Sequence, residues 1–110
     1  MTVNDLLNVE GFSAVVLAEE DREIEGVYIG DLLSWVMGRA KSGDAWITIM
    51  SNVNTIAVAT LADTACIILA EGVTLDEGVR ETAEAKGINV ISTPLSSYSA
   101  ALKLYSTLKV

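Results

Sequence analysis

Two short segments of the chain are apolar almost without interruption, and each is followed by small or polar residues. Residues 45–50 read AWITIM, and residues 65–70 read ACIILA before Glu71 and Gly72. Strands that are apolar on both faces belong to parallel sheets covered by helices. Because parallel neighbours need a crossover, usually a helix, these two runs constrain the chain to an α/β architecture.

The stretch between the two runs allows two interpretations. Residues 54–62 (NTIAVATLA) have apolar positions that fit neither the helical nor the strand period, and their β-branched side chains argue for a strand. The Asn-Gly signal of a hairpin is absent, whereas Asn52 or Asn54 is a good helix N-cap. Because the flanking runs require a crossover, we predict a helix over residues 54–62.

The rest of the chain continues this alternation. Further strands are predicted over residues 13–17, 24–29 and 88–91, and further helices over residues 2–8, 32–40, 74–86 and 96–108. The pattern predicts a single three-layer α/β domain over residues 1–110, with a mainly parallel sheet of about four to five strands and helices on both faces.

Capping signals predict where several helices begin. Thr2 with Asp5, and Thr74 with Glu77, have the spacing of capping boxes. Asp31 is the predicted N-cap of the helix over residues 32–40.

The last two helices have further boundary signals. Gly87 is predicted to end one helix, and Ser96 or Ser97 to begin the next. Apolar residues at positions 98, 101, 102, 105 and 108 form a stripe along one face of the final helix.

Composition argues against several classes of function. The chain has 15 acidic and 7 basic residues, a net charge of −8, which disfavours nucleic acid and anionic membranes as partners. No apolar run reaches the roughly 18 residues of a transmembrane helix, and the N-terminus lacks a signal-peptide pattern, so a cytoplasmic location is expected. There is no histidine, and the single cysteine, Cys66, lies in an apolar run. We therefore expect no catalytic activity, no metal and no cofactor.

If the protein binds a small molecule, the expected place is the carboxyl edge of the sheet, where open parallel sheets hold ligands. Exposed amides at helix N-termini there can hold an anion. The candidate ligand-binding residues are Gly30, Asp31, Ser51, Asn52, Asn54, Thr55, Gly72 and Thr93. Residues of these types also dominate caps and turns, and for each residue singly the structural role is favoured.

Three segments together resemble the DRTGG domain family. They are GVYIGDLLSWVM, WITIMSNVNTIAVATLADTACIILAEG and AKGINVISTPLSSYSAALKLY. The resemblance is to a small α/β module found beside CBS domains and related in fold to the N-terminal domain of HPr kinase/phosphorylase. It is greatest to stand-alone, serine-kinase-like members found near iron-hydrogenase genes.

The resemblance implies a regulatory or ligand-sensing module, commonly dimeric, without catalytic activity of its own. The family's Asp-Arg-Thr turn stands here as Val53-Asn54-Thr55, and its Gly-Gly pair stands as Glu71-Gly72. The missing arginine was the natural partner for an anionic ligand. The scaffold is therefore expected to remain while its ligand is lost or altered.

These observations favour a non-catalytic regulatory or protein-interaction module that associates with itself. The mean hydropathy of +0.43 is apolar for a small acidic monomer, so a homodimer or higher homo-oligomer is expected. A different protein partner is an open alternative. The alternative function is a sensor that binds a nucleotide-like or anionic small molecule at the carboxyl edge of the sheet.

Overall fold

Strands and helices alternate through residues 1–108, the part of the chain that the computed structural model describes. The elements are α1 (Val3–Leu6), β1 (Ser13–Val16), β2 (Gly26–Ile29), α2 (Leu33–Arg39), β3 (Asp44–Thr48), α3 (Val53–Ala62), β4 (Cys66–Leu69), α4 (Glu77–Lys86), β5 (Val90–Ser92) and α5 (Ser97–Leu108). The segment that allowed two interpretations is the helix α3, as the crossover argument predicted.

The five strands form one sheet in the order β1-β5-β4-β3-β2. Strands β2 to β5 are parallel, and β1 is antiparallel to β5. The predicted α/β fold with a mainly parallel sheet is therefore confirmed. The central strands β3 and β4 are buried along their whole length, as their apolar sequences require.

Helices cover both faces of this sheet. Ile47 and Ile68 point to one face and pack in a cluster that includes residues of α1 and α5. Their neighbours Trp46 and Ile67 point to the other face and pack against α2, α3 and α4. Side chains alternate between faces along a strand, so the same short strands supply both cores.

Several predicted helix boundaries are confirmed. The Thr2 hydroxyl accepts a hydrogen bond from the Asp5 amide, and the Asp5 carboxylate accepts one from the Thr2 amide, which is a complete capping box. Ser96 Oγ accepts a hydrogen bond from the Ser99 amide and so caps α5. Gly87 ends α4 at a φ of 70°, a conformation that favours glycine.

Two predicted N-caps are wrong. The residue before α2 is Leu32, which has no side-chain capping bond, because Asp31 is directed instead towards the end of β3. Helix α4 begins at Glu77 with Asp76 before it, so Thr74 lies too far upstream to complete a capping box with Glu77. In both places a capping signal in the sequence was overridden by tertiary contacts or by the path of the preceding loop.

Helix α5 is apolar on two sides. Its buried side contains Ala100 and Leu104, which pack in the core. Much of the stripe predicted from the sequence lies elsewhere, because Tyr98, Leu102 and Tyr105 are exposed. We call these three residues the outer stripe of α5.

Candidate functional site

The predicted site residues all lie at the carboxyl edge of the sheet, where the parallel strands end. Gly30 and Asp31 follow β2, Ser51 and Asn52 lie between β3 and α3, Asn54 and Thr55 are in the first turn of α3, Gly72 follows β4, and Thr93 follows β5. Their common location follows from the parallel topology. What each can offer to a ligand depends on the hydrogen bonds it already makes.

Asp31 joins the ends of two neighbouring strands. Its Oδ1 accepts hydrogen bonds from Thr48 Oγ1 at 2.8 Å and from the Ile49 amide at 3.0 Å. The preceding carbonyl, that of Gly30, accepts a hydrogen bond from Trp46 Nε1 at 2.8 Å. Both residues thus hold the end of β2 against β3.

Asn52 caps helix α3. Its Oδ1 accepts a hydrogen bond from the Thr55 amide at 3.2 Å, and Thr55 is fully buried beneath it. The turn that stands for the family's Asp-Arg-Thr therefore opens a helix, as the resemblance implied. Asn52 and Asn54 are exposed and Ser51 is half-buried, and of the two asparagines only Asn52 is engaged as the cap.

Thr93 and Gly72 join the ends of β4 and β5. Thr93 is 1% exposed, and its hydroxyl accepts a hydrogen bond from the Leu95 amide at 3.2 Å. The Gly72 amide donates to the Thr93 carbonyl at 3.0 Å. Gly72 and the preceding Glu71 have φ values of 72° and 60°, so the turn is formed by consecutive left-handed residues. Glycine is suited to this conformation, whereas a glutamate there is strained.

A cavity of about 350 Å³ lies beside this edge, between β1, β5 and the start of α4. Val73 and Ser92 line it, and Arg80 supplies a cation. The Arg80 guanidinium also lies 3.5 Å from the Glu84 carboxylate and 4.0 Å from that of Glu77. None of the predicted site residues lines this cavity, because it depends on how α4 packs beside β1 and β5.

A second, larger cavity is an apolar groove of about 450 Å³ between β2 and α5. Val27 and Ile29 line it from the strand, and Ala101 and Tyr105 line it from the helix. The strand and the helix that form this groove come from the first and last thirds of the chain, so the sequence does not show that they meet. The apolar outer stripe of α5 was its only sign in the sequence.

Groups with catalytic chemistry are scarce in residues 1–108. Burial raises the pKa of the Cys66 thiol to about 12, so the thiolate is disfavoured at neutral pH. No cluster of three or more metal-ligating side chains occurs in the described part of the chain. Within the same residues, none of the helices combines the length and apolarity needed to cross a bilayer.

The chain was compared with known proteins. The model of the DRTGG domain family matches residues 9–107. No curated protein sequence matches the chain. A similar solved structure is that of the CBS and DRTGG domains of the regulatory region of Clostridium perfringens pyrophosphatase, complexed with its activator, diadenosine tetraphosphate. The TM-score is 0.77 at 21% sequence identity, which shows a shared fold. The match covers 94% of this chain and 45% of that one, so this chain spans less than half of its length.

Proposed function

Because the chain belongs to the DRTGG domain family, we propose that it is a non-catalytic regulatory or protein-interaction module that associates with itself. The observation that carries this proposal is the amount of exposed apolar surface. Large apolar side chains are exposed on β2, α2, α3 and α5 and directly before α2: Ile29, Leu32, Trp35, Met37, Val53, Leu61, Tyr98, Leu102 and Tyr105. Extended apolar surface on a small protein is typical of an interaction site.

The polar edge of the sheet supports the non-catalytic part of this proposal. Asp31, Asn52 and Thr93 hold strand ends or a helix start through hydrogen bonds within the chain. Nucleophilic catalysis needs a nucleophile beside a base, and no histidine is present to serve as that base. The exposed chemistry of the chain is therefore better suited to association than to a reaction.

The regulatory part of the proposal is supported by the family and by the solved structure, which is a regulatory region of an enzyme. The resemblance to serine-kinase-like members near iron-hydrogenase genes extends the proposal. By this resemblance, the module would act by binding other proteins that are encoded near an iron hydrogenase.

Sedimentation velocity of the purified chain tests the self-association. At tens of micromolar, in the range of ordinary protein affinities, we expect a species with twice the 11.7 kDa mass of one chain. A single species of 11.7 kDa across that range would contradict the proposal.

A second candidate function is a small-molecule sensor. It is favoured by the cavity of about 350 Å³ beside the carboxyl edge, into which Arg80 brings a cation. The Clostridium perfringens region was crystallised with a nucleotide activator, diadenosine tetraphosphate. A nucleotide-like or anionic ligand is the corresponding candidate here.

A thermal-shift experiment with adenine nucleotides, diadenosine tetraphosphate and orthophosphate tests this alternative. A ligand that binds the folded state raises the unfolding midpoint, in proportion to the logarithm of its concentration when that is well above Kd. The Arg80→Gln variant should lose this shift. If the wild-type midpoint does not move with any of these compounds, the sensor function is rejected for this class of ligand.

A further inference from the structure

Strand β2 forms an open edge of the sheet. Within residues 1–108 it pairs with β3, and its other side has no strand partner. The Gly30 amide donates to the Ile47 carbonyl, so by the alternation of a strand the backbone groups of Val27 and Ile29 point to the open side. The segment GVYI contains no charge and no proline, and its register with β3 is continuous. These are the properties of an edge that can accept another strand.

The outer stripe of α5 reaches this edge at Tyr105. The apolar groove of about 450 Å³ separates Val27 and Ile29 from Tyr105. Tyr98, Leu102 and Tyr105 are 71%, 46% and 61% exposed, and Ile29 is 49% exposed. An open strand edge and an unpaired apolar helix stripe are therefore adjacent on one side of the molecule.

The charge near this side is low for so acidic a chain. The chain has a net charge of −8, yet no aspartate or glutamate follows Glu84, and α5 carries Lys103 as its charged residue. Two copies of such an acidic protein repel each other over most of their surfaces. Strand β2 itself carries no charge, and Glu25 and Asp31 flank it, so a second copy can pair with residues 26–29 without a carboxylate inside the paired segment.

We propose that β2 pairs antiparallel with β2 of a second copy about a twofold axis perpendicular to the sheet. This inference rests on the self-association proposed above and assigns it to one surface. Rotation about that axis reverses the strand direction but keeps each helix layer on its own face. The two sheets become continuous, and the outer stripes of the two α5 helices meet over the seam.

The exposed apolar side chains supply part of the area that a stable dimer needs. A standard interface covers about 800 Å² on each partner. Buried aromatic side chains contribute about 150–250 Å² each, so the exposed fractions of Tyr98 and Tyr105 supply roughly 200–300 Å² per copy. Ile29, Leu102 and the paired backbone add to this area. Because the interface is symmetric, each contact occurs twice.

Lysine substitutions on this surface test the assignment. Ile29→Lys and Tyr105→Lys each place two charges in the dimer seam, and we expect the dissociation constant to rise at least about 30-fold, as for a central interface residue. Leu61→Lys is the matched control, because Leu61 is 70% exposed on α3, a helix of the opposite layer. It should dimerise like the wild type. Sedimentation velocity gives the masses, and circular dichroism confirms that each variant is folded.

The outcomes distinguish this inference from the proposed function. A monomeric wild type overturns both. A dimeric wild type whose affinity is unchanged in both lysine variants, or is lost in Leu61→Lys, overturns the assignment to β2 and α5 while self-association stands. If Ile29→Lys does not fold, Ile29→Thr keeps the β-branched shape and should still weaken the dimer measurably. An unchanged Ile29→Thr together with an unchanged Tyr105→Lys also rejects the assignment.

Discussion

The two edges of the sheet are built in different ways. At one edge, β1 is antiparallel and its register shifts between Ala14 and Val16, which is a bulge-like irregularity. A turn rich in exposed acidic residues follows it. At the other edge, β2 is regular, uncharged and flanked by an apolar groove. Bulges and nearby charge prevent a strand from pairing with other chains, so the difference indicates that only the β2 edge is suited to a partner.

A buried polar side chain holds the β1 edge in place. Asn89 Oδ1 accepts hydrogen bonds from the Ala18 and Glu19 amides at 2.9 and 2.8 Å. Its Nδ2 donates to the carbonyls of Glu19 at 2.7 Å and Ala65 at 3.0 Å. The amide therefore uses both donors and both acceptor positions. The β1 edge is stabilised by saturated polar contacts within the chain, whereas the β2 edge leaves apolar surface to be covered.

The largest expected effect comes from breaking the β1 edge. Asn89→Ala removes four hydrogen bonds, one of them to the buried Ala65 carbonyl and three to part-buried backbone groups of Ala18 and Glu19, so we expect the free energy of unfolding to fall by about 3 kcal/mol. Urea unfolding followed by circular dichroism measures this. Asn54→Ala, at an exposed position, is the control and should change stability by less than about 0.5 kcal/mol. Similar losses in the two variants would contradict the role given to Asn89.

A smaller effect is expected from loosening the β2 edge. Trp46→Phe leaves the Gly30 carbonyl without its hydrogen bond and removes buried volume, at a cost of about 2 kcal/mol. Because β2 is then held less firmly, its self-association should also weaken. Trp35→Phe is the matched control, since Trp35 is 55% exposed. Chemical unfolding and sedimentation of both variants measure stability and dimer affinity. Equal losses of both quantities in Trp46→Phe and Trp35→Phe would contradict the role given to Trp46.

A change at the carboxyl ends of the central strands should leave both outer strands, β1 and β2, unaffected. Asn52→Ala removes the N-cap of α3, and the typical loss of stability is about 1 kcal/mol. The dimer mass should stay the same. A thermal unfolding midpoint equal to that of the wild type would show that Asn52 does not act as a cap.

The smallest expected effect is a pH dependence at Asp63, which follows α3 and pairs with Arg22 in the loop between β1 and β2. A hydrogen bond from Ser42, and then one from Arg22, lower the pKa of Asp63. A carboxyl with a lowered pKa stabilises the fold above its ordinary value, about 3.9, and this contribution is lost as the pH falls through the lowered value. Below about pH 4, therefore, the wild type should lose stability more steeply than Asp63→Asn.

Thermal unfolding midpoints of the wild type and Asp63→Asn between neutral and acidic pH measure this difference. Because Asp63 is largely exposed, water screens the interaction and the difference should be small. Parallel curves for the two proteins would show that the contacts of Asp63 do not contribute to acid stability.

The sequence was informative where the connection between neighbouring elements decides the structure. The helix α3 was predicted because two apolar strands required a crossover, although its β-branched residues argued against it. Asn52 was one of two predicted caps, and the structure selects it. Both results depend on interactions within a short stretch of chain.

The sequence was less informative where distant segments meet. Asp31 has the right type and position for a helix cap, but Thr48 and Ile49 hold it at the end of β3. The outer stripe of α5 was visible as a helical period. Only the packing of α5 beside β2 shows that Tyr98 and Tyr105 point away from the core.

Residue-resolved amide exchange by NMR, measured over a range of protein concentrations, tests the difference between the two edges most directly. If β2 joins two copies, the Val27 and Ile29 amides exchange slowly in concentrated protein and rapidly on dilution. Solvent-facing amides of β1 should exchange at the same rate at every protein concentration. Rapid exchange of Val27 and Ile29 at concentrations where the protein sediments as a dimer would contradict the account.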